Sequence, residues 1–590
     1  MRRQLFFILN ICIYFLFVFK LFDLQVLGNT SLNISEDKYL QTTNVPSKRG
    51  KIYARDGFPL AFNSPNYIIS FDPEAYHLNK ITYENNVLNK DVSLKIPKRD
   101  VTDIDEDNFK KISEIIGTNN KEKTEIVQFL RKIFNNKQLK YQIIAKDVSY
   151  DQKLALEQDK ALWFLNFEKT YKREYSEDKT FSHLLGFLGK TDSGENTGYF
   201  GLEGYYNSDL KGVDGYIKNQ KSASGAPIII GKNEIIKTID GVNIVTTIDR
   251  TMQYIAYNTL KERQEEYGYK SASLIALKPN GEVLSLVSYP SYDNVNFNKY
   301  FEKEESKQIF NDLNVSTPYE PGSVIKPFTI SAALDTGKIT TGSYFDDNGP
   351  VVYSGFTVDN WNGKHHGSVN AQRILELSNN VGTSKVGMLV GADVLFEYFK
   401  KFNLSEKTGI DLEGEQAGVF RDPSTWQNID IASTSFGQSF SATPLQIAVG
   451  YTAFINEGNI YKPFVVKEVV EKGIINKPIL LRKVIKTNVA NKMVNLLEKA
   501  AMGGEAKYFV NKNYRIAGKT GTAQINEEGV YIQDTNSTFV GFLSNSKKFV
   551  LLLKLEKPQK STYASETAVP IWMEIAAEYA DYLKIPPDLF

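Results

Sequence analysis

The pattern of apolar and polar positions separates one long apolar run at the N-terminus from the amphipathic remainder of the chain. Residues 5–22 are apolar apart from Asn10 and Lys20, and two arginines precede this run. A helix of about 20 apolar residues spans a bilayer, and flanking arginines keep the adjoining end in the cytoplasm. We therefore expect a cytoplasmic tail over 1–4, a transmembrane anchor over 5–22 and an extracytoplasmic remainder, in a single-pass protein of the inner (cytoplasmic) membrane. A cleaved signal peptide is the alternative, but it calls for a shorter run and a small-residue cleavage site.

A first domain is predicted beyond the anchor. A polar stretch over 23–45 is typical of a linker. Alternating and helical periodicities then predict a series of elements: a strand over 67–71, helices over 109–116 and 126–133, and a strand over 141–148. This mixture predicts a non-catalytic α+β pedestal domain over 46–239.

A second domain is predicted in the C-terminal part of the chain. Asp249 is a suitable N-cap for an amphipathic helix that begins near Met252. Two pairs of strand-like runs, at 274–288 and 538–555, have the spacing of hairpins and enclose several helical segments. Strands enclosing a run of helices predict one α+β domain over 240–590.

Composition narrows the chemistry that this chain can perform. The net charge of its 590 residues is +1, which gives no reason to expect a nucleic acid partner. The single cysteine, Cys12, cannot form an intramolecular disulfide. The four histidines do not form an H-E-x-x-H zinc motif. We therefore expect no metal and no cofactor.

One short segment carries a candidate nucleophile. Ser323 and Lys326 follow a Pro-Gly pair and precede an apolar run. On a helix they would share one face, and an amine close to a hydroxyl can activate it as a nucleophile. The spacing alone is weak, because Ser35 and Lys38, and Ser544 and Lys547, share it.

Two further segments make the combination specific. Residues 378–380 read Ser-Asn-Asn after an apolar helical turn, and residues 519–522 read Lys-Thr-Gly-Thr before the second hairpin. The motifs S-x-x-K, S-x-N and K-T-G in this order serve a single acyl-transfer site. Residues 407–409 also read Lys-Thr-Gly, but no second threonine and no hairpin follow, so a solvated loop is predicted there.

With these motifs the chain resembles the penicillin-binding proteins, and more narrowly class B, the monofunctional peptidoglycan D,D-transpeptidases. The resemblance extends beyond the site to several segments: 49–57, 201–206, 443–446 and 568–570. It implies a transpeptidase domain of the β-lactamase-like kind, with helices on an antiparallel sheet. The chain departs from the family at 173–176, where Arg-Glu-Tyr-Ser stands in place of R-x-Y-P. This departure affects which contacts the pedestal domain is expected to make and leaves the active-site motifs unchanged.

The resemblance implies a role for each catalytic residue. Ser323 would attack the penultimate D-Ala carbonyl of a stem peptide and release the last D-Ala. Lys326 would act as the base, and burial together with a second cation, Lys519, would lower its pKa. Ser378 would pass the proton to the leaving amine, and Asn380 would hold Lys326 and the substrate.

The resemblance also implies how substrates bind. Lys519, Thr520 and Thr522, with Gly521 between them, would bind the terminal carboxylate of the D-Ala-D-Ala peptide. The N–H groups of Ser323 and Thr522 would stabilise the oxyanion. An amine from a neighbouring stem would then form the cross-link, and a β-lactam would trap the nucleophile.

Biological role and partners follow from the family as well. The Tyr-Glu-Pro-Gly-Ser sequence and Asn380 favour the FtsI-like division branch over the elongation branch. An FtsW-like glycan polymerase and other division proteins are the implied partners in the membrane. The alternatives are a D,D-carboxypeptidase or serine β-lactamase, in which water is the acceptor, and a non-enzymatic scaffold or β-lactam sensor.

Overall fold

The computed structural model of the chain describes residues 2–25, 40–74, 76–77, 101–136, 139, 141–220, 234–302, 304–511, 513–527 and 529–588. Its helices are α1 Arg2–Gln25, α2 Val101–Ile116, α3 Asn120–Phe134, α4 Tyr150–Gln158, α5 Ser182–Leu185, α6 Gly201–Tyr205, α7 Asn207–Leu210, α8 Arg250–Tyr267, α9 Leu313–Ser316, α10 Lys326–Asp335, α11 Ala371–Glu376, α12 Asn380–Val390, α13 Ala392–Lys401, α14 Asn428–Ser435, α15 Pro444–Ile455, α16 Thr487–Gly503 and α17 Ala568–Tyr582.

The strands are β1 Leu40–Val45, β2 Ile52–Tyr53, β3 Pro59–Phe71, β4 Gln142–Ser149, β5 Asn166–Tyr175, β6 Phe187–Lys190, β7 Asn196–Tyr199, β8 Gly215–Gln220, β9 Glu234–Ile236, β10 Ile244–Thr246, β11 Ser271–Leu277, β12 Val283–Tyr289, β13 Tyr344–Asp347, β14 Val351–Tyr353, β15 Phe356–Val358, β16 Gly367–Asn370, β17 Asn459–Tyr461, β18 Val466–Val469, β19 Ile474–Ile475, β20 Leu480–Lys483, β21 Ile516–Glu527, β22 Val530–Leu543 and β23 Val550–Glu556.

Helix α1 covers the predicted anchor, although several of its side chains lie outside the described part of the chain. Among the residues that the structure describes, no helix combines the length and the apolar character needed to cross a membrane. The transmembrane anchor over 5–22 therefore stays a prediction. Most of the predicted linker over 23–45 also lies outside the described residues, and its last 6 residues form strand β1.

The smaller of two compact units comprises Met1–Arg49, Ser64–Lys172 and Gly212–Gly241. Its apolar core joins the second half of β3 to α2, α3 and β4. Phe71 stacks on Phe134 with 4.7 Å between the ring centroids. Strands β1, β8 and β9 form a separate antiparallel sheet in this unit. The helices and strands predicted between 67 and 148 are all found here, so the α+β class of this region is confirmed.

The larger unit comprises Gly50–Asn63, Arg173–Lys211 and Val242–Phe590. The predicted pedestal over 46–239 includes the first two of these segments. Arg173 connects these two segments. Its Nε lies 2.7 Å from Glu203 Oε1 within the second segment, and its Nη1 donates to Gly50 O of the first segment at 2.8 Å. Both charged side chains are almost fully buried. Removing one partner of such a pair typically costs about 3–5 kcal/mol.

A five-stranded antiparallel sheet of order β12-β11-β23-β22-β21 lies at the centre of the larger unit. Successive side chains of a strand point to opposite faces. Leu274 and Ala276 of β11 pack in the core that contains α8 and α17, whereas Ile275 and Leu277 pack in the core that contains α10 and α15. Helices thus cover both faces, which confirms the predicted α+β arrangement of an antiparallel sheet with helices.

Helix α10 is the central helix of this unit, and residues Lys326 to Leu334 are all buried. A 3₁₀ turn, Gly322–Ile325, leads into it. Gly322 has a φ of +61°, a conformation that glycine adopts without strain. The edge strand β21 passes close by, since a Cβ on Gly521 would lie 2.8 Å from Pro321 O. Glycine at these two positions lets the strand and the turn lie close enough to line one cleft.

Candidate active site

A cleft of about 530 Å³ is lined by the Gly322–Ile325 turn and the edge strand β21. All three predicted motifs contribute to its lining, with these residues: Ser323, Ser378, Asn380, Thr520 and Thr522. Ser323 is half-buried, and no hydrogen bond from a described residue engages its Oγ. The hydroxyl is therefore free to meet a ligand in the cleft.

Lys326 lies at the floor of this site and is fully buried. Its Nζ donates to Ser378 O at 2.5 Å and to Asn380 Oδ1 at 2.7 Å, and Ser378 Oγ lies 3.3 Å away. In its uncharged form this amine can donate to two of the three oxygens and accept the Ser378 hydroxyl hydrogen on its lone pair. Burial and the charge of Lys519 hold the pKa of Lys326 well below the usual lysine value, against the opposing charge of Glu505. This environment supports the uncharged form that a general base requires.

Lys519 has the partners of an ammonium ion. Its Nζ donates to Ser378 Oγ at 3.0 Å, to Thr520 Oγ1 at 3.0 Å and to Thr520 O at 3.2 Å. Burial lowers the pKa of Lys519, and the negative charge of Glu505 opposes this effect. Because Ser378 Oγ accepts from Lys519, its own hydrogen can point towards the lone pair of Lys326. One hydroxyl thus connects the two lysines.

The turn that carries Ser378 is held in an unusual conformation. Ser378 has a φ of +53°, which is uncommon for a residue other than glycine and is often found at functional sites. The next residue, Asn379, caps α12 by accepting from Gly382 N at 2.6 Å. These contacts fix the backbone carbonyl of Ser378 in position to accept from Lys326.

A buried carboxylate that no sequence motif indicates, that of Asp347, supports this turn. Asp347 accepts four hydrogen bonds, from Asn360 Nδ2 at 2.9 Å, Asn379 Nδ2 at 2.7 Å, the His366 N–H at 2.9 Å and His365 Nδ1 at 3.1 Å. Burial raises the pKa of Asp347, but these hydrogen bonds outweigh it and hold the pKa below the usual value. Asn360 in turn accepts from the Asn380 N–H at 2.9 Å. No motif precedes Asp347 in the sequence, and no signal there identifies it.

Two aromatic side chains lie at the edge of the cleft. Trp361 faces Tyr563 with 5.2 Å between ring centroids, and both line the cleft. Glu505 lines the cleft as well, and Thr520 Oγ1 donates to its Oε2 at 2.5 Å.

The structure separates the site from residues with similar spacing. Lys407 is exposed in a loop, as predicted. Ser35 and Lys38 lie outside the described residues. Within the described ranges, no group of three or more His, Cys, Asp or Glu side chains is arranged to hold a metal ion. The contacts of Lys326 and Lys519 with Ser378 support the chemistry of a hydroxyl nucleophile beside a neutral amine and a fixed ammonium.

We expect Lys519→Ala to slow acylation of Ser323 by a β-lactam about 100-fold at neutral pH. Removing this cation raises the pKa of Lys326, since its charge is one cause of the depression. A base acts only when it is unprotonated, so the rise of the acylation rate with pH moves to higher pH in the variant. The measurement is the second-order acylation rate constant across pH. Lys507→Ala, which changes an exposed lysine outside the cleft lining, is the control. An unchanged pH profile in Lys519→Ala would contradict the coupling of the two lysines.

Two family models match the chain. The penicillin binding protein transpeptidase domain matches residues 272–577, which is more than half of the chain. The penicillin-binding protein dimerisation domain matches residues 44–246.

Similar proteins and structures agree with these matches. Stage V sporulation protein D of Bacillus subtilis is 28% identical over 75% of this chain and 70% of its own length. Peptidoglycan D,D-transpeptidase FtsI of Buchnera aphidicola subsp. Baizongia pistaciae is 28% identical over 92% of this chain and 88% of its own. The crystal structure of penicillin binding protein 2X from Streptococcus thermophilus superposes with a TM-score of 0.73 at 22% identity, covering 92% of this chain and 81% of that one.

Proposed function

The chain belongs to the penicillin-binding protein transpeptidase family, and from this premise we propose that it cross-links peptidoglycan stem peptides by D,D-transpeptidation through an acyl-enzyme on Ser323. The observation that carries the proposal is the hydrogen-bonded set of two lysines and one serine beside this hydroxyl. Lys326 and Lys519 meet at Ser378 Oγ, at 3.3 and 3.0 Å. This set provides a base, a proton relay and a fixed positive charge within one cleft.

The first half-reaction forms the acyl-enzyme. Ser323 Oγ attacks the carbonyl of the penultimate D-Ala while Lys326 takes the hydroxyl proton. The N–H groups of Ser323 and Thr522 stabilise the oxyanion, and losing one such donor typically costs about 10²–10³ in rate. Ser378 passes a proton to the leaving nitrogen, the C–N bond breaks and D-Ala departs.

The terminal carboxylate of the donor peptide binds beside Lys519 and the two threonines of the edge strand. Thr522 lines the cleft, and its Oγ1 accepts from Ala564 N at 3.0 Å, which leaves its hydroxyl hydrogen for the substrate. Lys519 supplies the charge. A β-lactam carries a carboxylate and a reactive amide in a similar arrangement, so it acylates Ser323 and inhibits the enzyme covalently.

The second half-reaction transfers the acyl group to an amine of a neighbouring stem peptide. The amine attacks the ester carbonyl, the new C–N bond forms and the C–O bond to Ser323 breaks. A proton from the attacking nitrogen returns to Ser323 Oγ through Ser378 and Lys326. The product is a cross-link, and the enzyme regains its free hydroxyl.

We place the enzyme at the cell inner (cytoplasmic) membrane, with α1 as a single-pass anchor and the rest of the chain on the extracytoplasmic side. The apolar run over 5–22 and the two arginines before it support this placement. A septal role is supported by the relative named FtsI and by Asn380 in the second motif. An FtsW-like glycan polymerase and other division proteins are the proposed partners.

An in vitro assay with the full-length chain tests the reaction. We expect a donor peptide ending in D-Ala-D-Ala and an amine acceptor to give an amide product together with one D-Ala for each bond formed. Release of D-Ala without amide product would indicate a carboxypeptidase. Sustained turnover of a β-lactam, instead of labelling at one molecule per chain, would indicate a β-lactamase.

Depletion of the protein in cells tests the septal role. Filamentous cells are the expected outcome, because division stops while elongation continues. Rounded cells would indicate the elongation role. Full growth of cells that carry Ser323→Ala in place of the wild type would favour the scaffold.

A further inference from the structure

Glu505 differs in charge from everything around it in the cleft. Of the described residues that line the cavity, it is the only one with a charged side chain. The two lysines lie beneath the surface, at 0% and 3% exposure. An anionic ligand therefore meets this carboxylate before it meets Lys519, whereas a cationic ligand meets an attractive group.

The charge of Lys519 attracts this carboxylate from the far side of the Thr520 hydroxyl, without a direct ion pair. Among the described residues, no lysine, arginine or histidine lies within ion-pairing distance of it, and its hydrogen bond comes from the neutral Thr520 hydroxyl at 2.5 Å. Glu505 also follows the C-terminal end of α16, where the helix dipole is negative and disfavours an anion. Helix electrostatics thus disfavour a negative charge at this position.

Glu505 also competes with the donor substrate. The Thr520 hydroxyl has one hydrogen, and it is donated to Glu505. The terminal carboxylate of a stem peptide must displace this bond or rely on Lys519 and Thr522. Since Glu505 weakens the binding of the donor peptide, its charge calls for a favourable role in another step of the reaction cycle.

After the acyl-enzyme has formed, the cleft has to bind a ligand of a different charge. Once D-Ala has left, the terminal carboxylate is gone and the next ligand is an amine, which is an ammonium ion in neutral water. Glu505 then faces a cleft of about 530 Å³ whose other lining side chains are uncharged. Its hydrogen bond to Thr520 and that residue's bond to Lys519 connect it to Ser378 and the catalytic set.

We propose that Glu505 binds the acyl acceptor as its ammonium ion and so makes the enzyme selective for cationic amine acceptors. One proton of the ammonium then leaves to the solvent, and the free amine attacks the ester. The second proton passes to Ser323 Oγ as the C–N bond forms and the C–O bond breaks. This inference rests on the proposed transpeptidation and names the group that recognises its second substrate.

The test measures selectivity in a single acyl-enzyme. The full-length chain is acylated with a thioester donor that lacks a terminal carboxylate, and two acceptors compete with water. One is Nα-acetyl-lysinamide, whose side-chain amine is cationic at neutral pH, and the other is hydroxylamine, which is uncharged there. We expect the ratio of the rate constants for the cationic and the neutral acceptor to fall at least tenfold in Glu505→Gln. Glu505→Asp should recover part of the ratio, because it restores the charge.

The matched control is Glu566→Gln, which removes an exposed carboxylate next to Ser565 of the cleft lining. Its acceptor ratio should stay within twofold of the wild type. An unchanged ratio in Glu505→Gln would overturn the inference, as would an equal fall in Glu566→Gln, which would show a long-range charge effect. Hydrolysis alone in the wild-type chain, with no amide product from either amine, would instead overturn the proposed transpeptidation and this inference with it.

Discussion

Replacing Ser323 by alanine is expected to abolish covalent labelling by a β-lactam. Removing the nucleophile of a serine acyltransferase typically lowers its rate by about 10⁶. The change should cost no more than about 0.5 kcal/mol of stability, because Ser323 is half-buried and no described residue hydrogen-bonds to its Oγ. Intact-protein mass spectrometry measures the adduct, and thermal unfolding measures the fold.

Ser544→Ala is the matched control for this experiment. Ser544 and Lys547 repeat the spacing of Ser323 and Lys326, but Ser544 Oγ donates to Glu498 at 2.6 Å and does not line the cleft. This variant should label at the wild-type rate. Labelling of Ser323→Ala at that same rate would place the nucleophile elsewhere in the chain.

Replacing Lys326 by methionine is the second change with a large expected effect. We expect acylation to slow by about 10²–10⁴, the usual contribution of a general base. Methionine has a similar length, and it removes the lone pair that would accept the proton of Ser323. The time course of β-lactam labelling gives the acylation rate constant of the variant, and mass spectrometry confirms the adduct.

Although Lys326→Met should be less active, we expect it to be at least as stable as the wild type. Burying the Lys326 amine costs folding free energy, and the lowered pKa of this amine reflects the same desolvation. Methionine removes this cost, although it leaves Ser378 O and Asn380 Oδ1 without their donor. We expect the Tm not to fall below that of the wild type. A large fall in Tm, matching the loss of activity, would show that Lys326 serves mainly to hold the fold.

Much of the site could be predicted because its three motifs are local in sequence. Ser323 and Lys326 are one turn apart, and residues 519–522 occupy successive positions of β21, so each group is visible as a short pattern. The lowered pKa of Lys326 could also be predicted, since it follows from burial and a second cation. Glu505 could not, because the chain brings it to Thr520 through the end of α16 and not through any motif.

The individual helices and strands of the fold were predictable from the sequence, whereas contacts between distant segments were not. Asp249 caps α8 and Thr443 caps α15, as their side-chain types predict. In contrast, the segments Gly50–Asn63 and Arg173–Lys211 join the larger unit, although a reading along the chain places them in the pedestal. The hydrogen bond from Arg173 to Gly50 O links positions 123 residues apart, and hydrophobic periodicity carries no information about such contacts.

The larger unit contains an early segment, Gly50–Asn63, whose partners are synthesised much later, and this affects the biosynthesis of the protein. The Lys51 N–H bonds to Asn243 Oδ1, a residue 192 positions later, and β2 pairs with β10 in the same region. At about 5–20 residues per second, roughly 10–40 s separate the synthesis of the two partners. During that interval Ile52, Ala54 and Leu60, which are fully buried in the finished unit, lack most of the core cluster that buries them. The nascent chain therefore carries an exposed apolar segment that holding chaperones can bind until the C-terminal part is made.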